Sequence, residues 1–383
     1  MKTPIYLDYN ATTPHDPDVI SVMQPFLTEY FGNPSSSYLY GDQTKDAVNN
    51  ARRQVASLLN CDPPEIVFTS GGTESNNYAI KGAAFNYQYK GNHIITTQIE
   101  HPSVLEVCKF LELNGFRVTY LPVDENGIVQ ITELEKAITS KTTLITVMHS
   151  NNEVGSIQPI EEISNLARGR GILTHTDAAQ SIGKIPLDLE RERVDLLSIA
   201  GHKVYAPKGI GALYVRRGTQ LSALIHGAGQ EQGRRPGTEN VLEIVGLGKA
   251  CEIARRDLKK NMVHMKKMKE KLYSMLQEKI KNIKRNGQQD RQLPNTLSLS
   301  IKGLDAHTII SKITDRVAVS AGAACHSDKI QISHVLKAMN VPEEWARGTI
   351  RLSTGRMTSE EEVDLASNII SEAVLKLLET NHG

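Results

Sequence analysis

The chain has 383 residues, of which 39% are hydrophobic, and its 44 Lys and Arg residues almost balance 43 Asp and Glu residues. This length supports a large buried core and predicts one large domain with a smaller second domain. The net charge of +1 gives no indication of direct nucleic-acid or membrane binding. The N-terminus lacks the apolar core of a signal peptide and no run reaches transmembrane length, so we expect a cytoplasmic protein.

Short apolar runs alternate with amphipathic stretches between residues 65 and 215. The predicted strands are Glu65–Thr69, Asn92–Thr97, Phe116–Leu121, Thr142–His149, Ile172–Thr176, Val194–Ile199 and Ile210–Val215. Helical patterns between them include Val104–Leu113, Ile131–Ile138 and Ile160–Ala167. This alternation predicts an α/β fold with a mostly parallel seven-stranded sheet, and such folds bind ligands beyond the carboxyl ends of the strands.

A Lys-rich stretch from Arg255 to Arg285 carries twelve Lys and Arg against three Asp and Glu, with Met and Leu at helical spacing. It predicts a long surface helix between two domains, and a basic surface for a partner or nucleic acid is the alternative. Further elements predict a smaller α+β domain, with strands at Asn295–Ile301, Ala318–Ser320 and Ile350–Ser353 and a helix at Glu360–Leu378. We place the large domain at residues 15–255 and the small one at 1–14 and 256–383.

Two charged residues stand at the ends of predicted strands. Lys203 follows the run Val194–Ile199, and Asp177 follows the run Ile172–Thr176. Pyridoxal phosphate needs such a pair, because a lysine binds it as a Schiff base and an aspartate keeps its pyridine nitrogen protonated. The pair therefore predicts this cofactor on Lys203.

A Gly-rich turn that contains Gly72 and Thr73 lies between a predicted strand and a helix start. Exposed N–H groups at that helix N-terminus, with the Thr73 hydroxyl, would suit a phosphate. Thr73 and Ser75 could instead be ordinary helix caps. Beside Lys203 and Asp177, phosphate binding is the favoured interpretation.

Two further strand ends carry polar side chains. His101 follows the predicted strand Asn92–Thr97 and could stack on a cofactor ring or move protons, or it could be a structural loop histidine. The segment Asn151–Gly155 could bind the cofactor's phenolic oxygen, or it could be an ordinary Asn-rich turn.

Nine ordered motifs between Tyr6 and Arg356 resemble those of the cysteine desulfurases, the class that includes selenocysteine lyase. They are Asp8–Pro14, Gly32–Ser36, Ser70–Asn76, Asn151–Gly155, His175–Gln180, Gly201–Lys203, Arg235–Asn240, Ala321–Cys325 and Arg351–Arg356. The resemblance implies an aminotransferase-like fold of type I, a homodimer and pyridoxal phosphate on Lys203.

The resemblance also implies roles for individual residues. Thr73 and His202 would bind the cofactor phosphate, which Thr238 would reach from the neighbouring subunit. His101 would stack on the ring, Asp177 would pair with its nitrogen, and the phenolic oxygen would contact Asn152 and Gln180. Arg351, helped by Asn33, would hold the substrate carboxylate with its planar guanidinium.

The motif around Cys325 implies the reaction that the protein catalyses. Small residues and a polar segment surround Cys325, which suits an exposed loop that carries a nucleophile. L-cysteine would be converted to L-alanine, with its sulfur left on Cys325 as a persulfide for an acceptor protein. His101 would accept the proton of the substrate or Cys325 thiol. The other cysteines, Cys61, Cys108 and Cys251, match no catalytic motif and are predicted to be structural.

Two positions depart from the common desulfurase pattern. Ala200 replaces a hydroxyl residue, which removes one phosphate contact, and Tyr38 replaces a histidine. Tyr38 and the Cys325 motif lean towards selenocysteine lyases and the desulfurases of DNA phosphorothioation. Pro102 stands where animal selenocysteine lyases have an acidic residue, which favours cysteine as substrate. The alternatives are a selenocysteine lyase, another lyase or aminotransferase of this fold, and a catalytically silent scaffold.

Overall fold

The computed structural model describes residues 3–321 and 332–381 and, between them, the backbone of residues 325–326 and 329–330. The strands are β1 (Ile5–Tyr6), β2 (Ile66–Thr69), β3 (His93–Thr97), β4 (Arg117–Leu121), β5 (Thr142–Thr146), β6 (Leu173–Asp177), β7 (Leu196–Ala200), β8 (Gly211–Val215), β9 (Ile283–Arg285), β10 (Thr296–Ile301), β11 (Val317–Ala318), β12 (Ser320–Ala321), β13 (Cys325–His326), β14 (Lys329–Ile330) and β15 (Thr349–Ser353).

Helices fill most of the remaining chain. They are α1 (Pro17–Met23), α2 (Pro25–Thr28), α3 (Leu39–Leu59), α4 (Gly72–Asn86), α5 (Pro102–Leu113), α6 (Ile131–Ala137), α7 (Ile160–Arg168), α8 (Leu189–Glu192), α9 (Val241–Lys279), α10 (Ala306–Ile313), α11 (His334–Ala338), α12 (Glu343–Ala346) and α13 (Glu360–Asn381). Single 3₁₀ turns lie at Pro63–Glu65, Gly201–Lys203, Gln230–Gly233 and Gln289–Arg291. No helix of the described chain is long and apolar enough to cross a membrane.

Seven strands form the large sheet, in the order β2-β8-β7-β6-β5-β3-β4. Neighbours from β7 to β4 pair in parallel, whereas β8 runs antiparallel to both β7 and β2. The prediction of an α/β fold with a mostly parallel seven-stranded sheet is confirmed. The β5 prediction was too long by three residues, although the N–H groups of Val147 and His149 still bind the carbonyls of His175 and Asp177 in β6.

Helices cover both faces of this sheet, as a parallel sheet requires. On one face α4 and α5 pack on the sheet through Ile80 and Val104, which join a buried cluster with Leu144 of β5. On the other face Val55 and Leu247, from α3 and α9, join a second cluster. The strands are therefore buried on both faces of the sheet, and the polar loops lie at the strand ends.

A second, antiparallel sheet has the order β12-β15-β10-β9. Leu272 of α9 and Ile370 of α13 pack in its core with Leu299 of β10. The N-terminal strand β1 joins this half of the molecule by pairing in parallel with β11. The predicted boundary at residue 255 falls inside the continuous helix α9, and the division into two domains stays a prediction.

The Lys-rich stretch was predicted as a helix over the wrong range. Helix α9 begins at Val241, after an Asn240 cap, and ends at Lys279, whereas Ile283–Arg285 forms β9. The first half of the helix carries small and apolar residues that pack on α3, and the Lys-rich half packs beside α13. Lys271 pairs there with Glu360 and Asp364, so acidic residues of α13 offset part of the basic face.

Candidate active site

Nine of the predicted site residues line one cavity of about 230 Å³ at the carboxyl ends of the large-sheet strands. They are Gly72, Thr73, His101, Asn152, Asp177, Gln180, His202, Lys203 and Arg351. These residues come from loops after β2, β3, β5, β6 and β7 and from β15 of the second sheet. The cavity therefore lies where ligands of parallel α/β folds bind.

Lys203 reaches this cavity from the 3₁₀ turn that follows β7. Its Nζ donates hydrogen bonds to the carbonyl oxygens of Asn10, at 2.5 Å, and Ala11, at 2.8 Å. Burial, reinforced by the positive charge of Arg351, lowers the pKa of Lys203 from 10.5 to about 8. A large fraction of this amine is therefore neutral slightly above physiological pH, and a neutral amine can act as a nucleophile.

Asp177 is the last residue of β6, and only 7% of it is exposed. Its Oδ2 accepts a hydrogen bond of 2.7 Å from Asn76 Nδ2, and its Oδ1 accepts one of 2.9 Å from the Ala179 N–H. The neighbouring His175 is buried, which lowers its pKa to about 4 and keeps it neutral. The carboxylate is thus oriented at the cavity and could pair with a cationic ring nitrogen.

The N-terminus of α4 lies open beside these residues. Its first residue is Gly72, and the N-cap Gly71 has φ +149° and provides no side-chain hydrogen bond. A Cβ on Gly72 would lie 3.2 Å from Ala200 Cβ, so the helix start packs closely against the end of β7. Thr73 and Ser75 are not the caps of this helix, and its first N–H groups remain available to an anion.

His101 is the N-cap of α5 at the cavity edge. Its Nδ1 accepts the Ser103 N–H at 3.1 Å and lies 2.7 Å from Ser103 Oγ. Burial lowers the pKa of His101. A neutral ring that accepts at Nδ1 carries its proton on Nε2, so Nε2 is a donor in this arrangement. His202 has its pKa lowered to about 4, mainly by burial and then by Lys203.

Arg351 projects from β15 and is bound on two of its nitrogens. Nη2 donates to Asp8 Oδ1 at 2.7 Å and Ser320 Oγ at 3.0 Å, and Nη1 donates to the Asn152 carbonyl at 3.0 Å. Nε is buried without a hydrogen-bond partner among the described residues. A substrate carboxylate would therefore bind this guanidinium in competition with Asp8.

Two predicted residues, Asn33 and Thr238, are not among those that line the cavity. Asn33 is exposed and its Oδ1 accepts a hydrogen bond from the Ser35 N–H, and Thr238 is exposed as well. The backbone of Cys325 pairs with Ile330 in the β13–β14 ladder, but its side chain lies outside the described residues. Burial raises the pKa of the thiols of Cys61, Cys108 and Cys251 to about 12, so these thiols stay protonated.

Sequence reasoning missed the residues that hold the predicted ones in place. Asn10 and Ala11 bind Lys203, Asn76 binds Asp177, and Ser103 binds His101. Asn10, Ala11 and Asn76 lie inside motifs already identified in the sequence, so their positions were the available signal. Nothing in the sequence indicates which of these side chains contacts which.

Comparisons with known proteins identify the family of this chain. Residues 5–365 match the family model of class-V aminotransferases. Cysteine desulfurase IscS of Dictyoglomus turgidum is 45% identical over 378 residues, which cover 98% of this chain and 96% of the relative. A solved NifS-like protein has 40% identity and a TM-score of 0.92, covering 98% of this chain and 100% of its own.

A second solved structure, SspA in complex with cysteine, has 39% identity and a TM-score of 0.81, covering 92% of this chain and 99% of its own. These matches confirm the predicted family resemblance, and the NifS-like structure confirms the predicted fold type over nearly the whole chain. The chain belongs to the class-V aminotransferase family and, within it, to the cysteine desulfurases.

Proposed function

We propose that the protein uses pyridoxal phosphate to convert L-cysteine to L-alanine and leaves the sulfur on Cys325 as a persulfide. The observation that carries the proposal is the single cavity that Lys203, Asp177, the N-terminus of α4 and Arg351 share. An amine, a carboxylate, an anion site and a guanidinium are the groups that this cofactor and an amino-acid substrate require.

The residues fit the cofactor in detail. The first N–H groups of α4, Thr73 and His202 would hold its phosphate, and Asp177, already oriented by Asn76, would pair with its ring nitrogen. Lys203, with a pKa of about 8, would provide the amine that binds it covalently. His101 would stack on the ring, and Asn152 and Gln180 would contact its phenolic oxygen. When bound, the cofactor supplies an electron sink for negative charge at the substrate Cα.

The chain's own residues would carry the other parts of the reaction. Arg351 would bind the substrate carboxylate after exchanging its contact with Asp8. Lys203 Nζ would take the Cα proton. Cys325 Sγ, as a thiolate, would attack the substrate sulfur, so that an S–S bond forms while the C–S bond breaks. The electron pair of the broken bond stays on the carbon fragment, which takes up one proton at Cβ, regains a proton at Cα from Lys203 and leaves as alanine.

The role of His101 in proton transfer is limited by its hydrogen bonds. Because Nδ1 accepts the Ser103 N–H, the neutral ring would donate through Nε2. It could accept a thiol proton at Nε2 only after its own proton has moved to a neighbouring group. We therefore propose that His101 orients the cofactor ring and the thiol. It would accept the thiol proton only after Nε2 has given up its own proton.

A homodimer would complete the site. Thr238 and Asn33 are exposed in the single chain, and several large apolar side chains near Asn33 are exposed as well, namely Leu27, Phe31, Tyr38, Leu39 and Tyr40. Such a patch is typical of an interface. We propose that a second copy covers it and that the partner subunit's Thr238 reaches the cofactor phosphate.

Cysteine is the proposed substrate and a sulfur-acceptor protein the proposed partner. The stacking His101 is followed by Pro102, and the first turn of α5 carries no acidic residue. A carboxylate there would disfavour a thiolate, so its absence favours cysteine over the alternative, selenocysteine. The proposed acceptor is a protein of iron-sulfur cluster assembly, of thio-modification or of DNA phosphorothioation.

The test is alanine formation from cysteine and from selenocysteine with a reductant present. We expect alanine from both, loss of turnover and of the visible cofactor absorbance in Lys203→Ala, and loss of persulfide in Cys325→Ser. Cys108→Ser is the matched control, because that buried thiol matches no motif and should leave persulfide formation intact. Alanine from selenocysteine and none from cysteine would replace this proposal with a selenocysteine lyase.

A further inference from the structure

A second lysine lies buried behind the cofactor cavity. Lys184 is 5% exposed, and its Nζ lies 2.9 Å from Asn10 Oδ1 and 2.8 Å from Gln180 Oε1. No carboxylate of the described residues forms an ion pair with it. Burying a lysine without a counter-ion is costly, so its position calls for a role.

The surroundings of Lys184 favour the neutral amine. Burial, Lys203 and Arg351 all lower its pKa well below 10.5. A neutral amine has two N–H groups, and both acceptors that it meets are carbonyl oxygens. In either protonation state Nζ donates to both oxygens, so Lys184 acts here as a hydrogen-bond donor to two side-chain amides.

Local backbone structure places this donor behind Gln180. The N–H groups of Ser181 and Ile182 bind the Ala178 carbonyl at 2.9 and 3.0 Å, which forms a helical turn. The Lys184 N–H then binds the Ser181 carbonyl at 3.0 Å, and the Lys184 side chain turns back to Gln180 Oε1. Gly183, at φ +68°, has no room for a Cβ, which would lie 2.7 Å from Val204 Cγ2.

The contact decides which end of the Gln180 amide faces the cavity. Because Oε1 is bound to Lys184, Nε2 is the end that donates to the Asn10 carbonyl, at 2.9 Å. A second N–H on Nε2 remains for the cavity that Gln180 lines. The same Asn10 carbonyl accepts from Lys203 Nζ. Lys184, Gln180, Asn10 and Lys203 thus form one continuous hydrogen-bonded chain.

We propose that Lys184 is a positioning residue, which holds Gln180 Oε1 and Asn10 Oδ1 so that the Gln180 amide presents N–H to the phenolic oxygen of the cofactor. The proposal rests on the proposed function, since it assumes pyridoxal phosphate in the cavity. Without Lys184, Gln180 Oε1 would lose its donor, whereas Asn10 Oδ1 would keep the Asn295 amide at 2.9 Å. The Gln180 amide could then rotate and turn its oxygen towards the phenolic oxygen.

The experiment compares Lys184→Met with Lys269→Met. Lys269 is the matched control because it is also buried, at 2% exposed, and its Nζ also donates to two oxygens, Gln292 Oε1 and the Leu293 carbonyl. It lies beside the second sheet and does not line the cofactor cavity. Cofactor is removed from each protein and pyridoxal phosphate is titrated back while absorbance is recorded. We expect a roughly tenfold higher Kd and a displaced visible absorption maximum in Lys184→Met only, as for loss of one oriented hydrogen bond.

A double-mutant cycle separates positioning from general damage. If Lys184 acts through Gln180, the Lys184→Met/Gln180→Ala protein should bind the cofactor about as well as Gln180→Ala alone. Should Lys184→Met not accumulate as folded protein, Lys184→Gln is used. Its side chain is one bond shorter, so we expect a Kd at least about threefold above wild type and the same displaced absorption maximum.

The outcomes are distinct. A wild-type protein that binds no pyridoxal phosphate overturns the proposed function and this inference with it. A wild-type protein that binds the cofactor and forms alanine, while Lys184→Met matches Lys269→Met in Kd and absorption maximum, overturns the inference alone. Additive losses in the double mutant, or wild-type binding by Lys184→Gln, also overturn it.

Discussion

The low pKa of Lys203 makes the stability of the cofactor-free protein depend on pH in a way that one substitution should remove. The folded pKa is about 8 and the usual value is 10.5, so between these values the unfolded chain binds more protons than the folded one. Stability therefore rises with pH through this window and is lowest below pH 8, where both states are protonated. At 1.36 kcal/mol per pH unit, the difference corresponds to about 3 kcal/mol.

Lys203→Met removes this group together with two hydrogen bonds, to the Asn10 and Ala11 carbonyls, worth roughly 1 kcal/mol each. Near pH 7 the variant should be as stable as wild type or slightly more stable, since the cost of a buried ammonium exceeds the lost bonds. Near pH 10.5 it should be about 2 kcal/mol less stable. The unfolding free energies of the two proteins should thus diverge by about 3 kcal/mol across the window.

Urea unfolding of both cofactor-free proteins at several pH values from 7 to 10.5 measures the divergence. Lys269 occurs in both proteins, so its contribution cancels in the difference. Lys184 would lose a neighbouring positive charge in Lys203→Met, so it is replaced by Met in both proteins. Lys208→Met, at an exposed position five residues on, is the control and should follow wild type at every pH. Parallel curves for wild type and Lys203→Met would refute the assignment of a perturbed amine at Lys203.

Three further substitutions test other parts of the structure. Arg351→Lys should raise the KM for cysteine at least about tenfold and leave the visible cofactor band unchanged, since it loses the planar guanidinium that binds the carboxylate; an unchanged KM would contradict that role. Asn76→Ala should lower cofactor affinity about tenfold, measured by titration, because Asp177 loses its 2.7 Å partner; unaltered affinity would show that Asn76 does not orient Asp177. Glu231→Gln should lower the unfolding free energy, measured by urea denaturation, by about 3–5 kcal/mol, because the Arg52 guanidinium would stay buried without its carboxylate. A loss below about 1 kcal/mol would contradict this role of the ion pair.

The sheet could be predicted from the sequence because its strands are short apolar runs buried on both faces. Six of the seven predicted strands match the structure to within about two residues at each end. The motifs at their carboxyl ends account for eight of the nine predicted residues around one cavity, and the ninth, Arg351, comes from β15 of the second sheet. Strand position predicts that these eight converge, whereas the roles of most of them came from the family resemblance.

The elements that were missed lack such a signal. Helix α3 is 21 residues long, but most of its residues are polar. Its apolar stripe, which includes Val48 and Val55, is too narrow to predict a helix from the sequence. The start of α9 at Val241 was missed because its first half is apolar and only the second half is Lys-rich. The ion pair of Arg351 with Asp8 joins residues more than 340 positions apart, which no local pattern reveals.

Asn10 shows why the cofactor cavity depends on both halves of the molecule. Its backbone N–H binds Ser353 of β15, and its side-chain amide nitrogen binds Thr296 of β10, both in the second sheet. Its carbonyl binds Lys203 and its side-chain oxygen binds Lys184, both at the large sheet. Any shift of the second sheet towards or away from the large one must therefore be transmitted to the amine that would hold the cofactor. Arg351 and the segment before Cys325 lie on that same second sheet. The residues proposed to bind the substrate carboxylate, to act as nucleophile and to hold the cofactor would therefore be coupled through a short N-terminal segment that belongs to neither sheet.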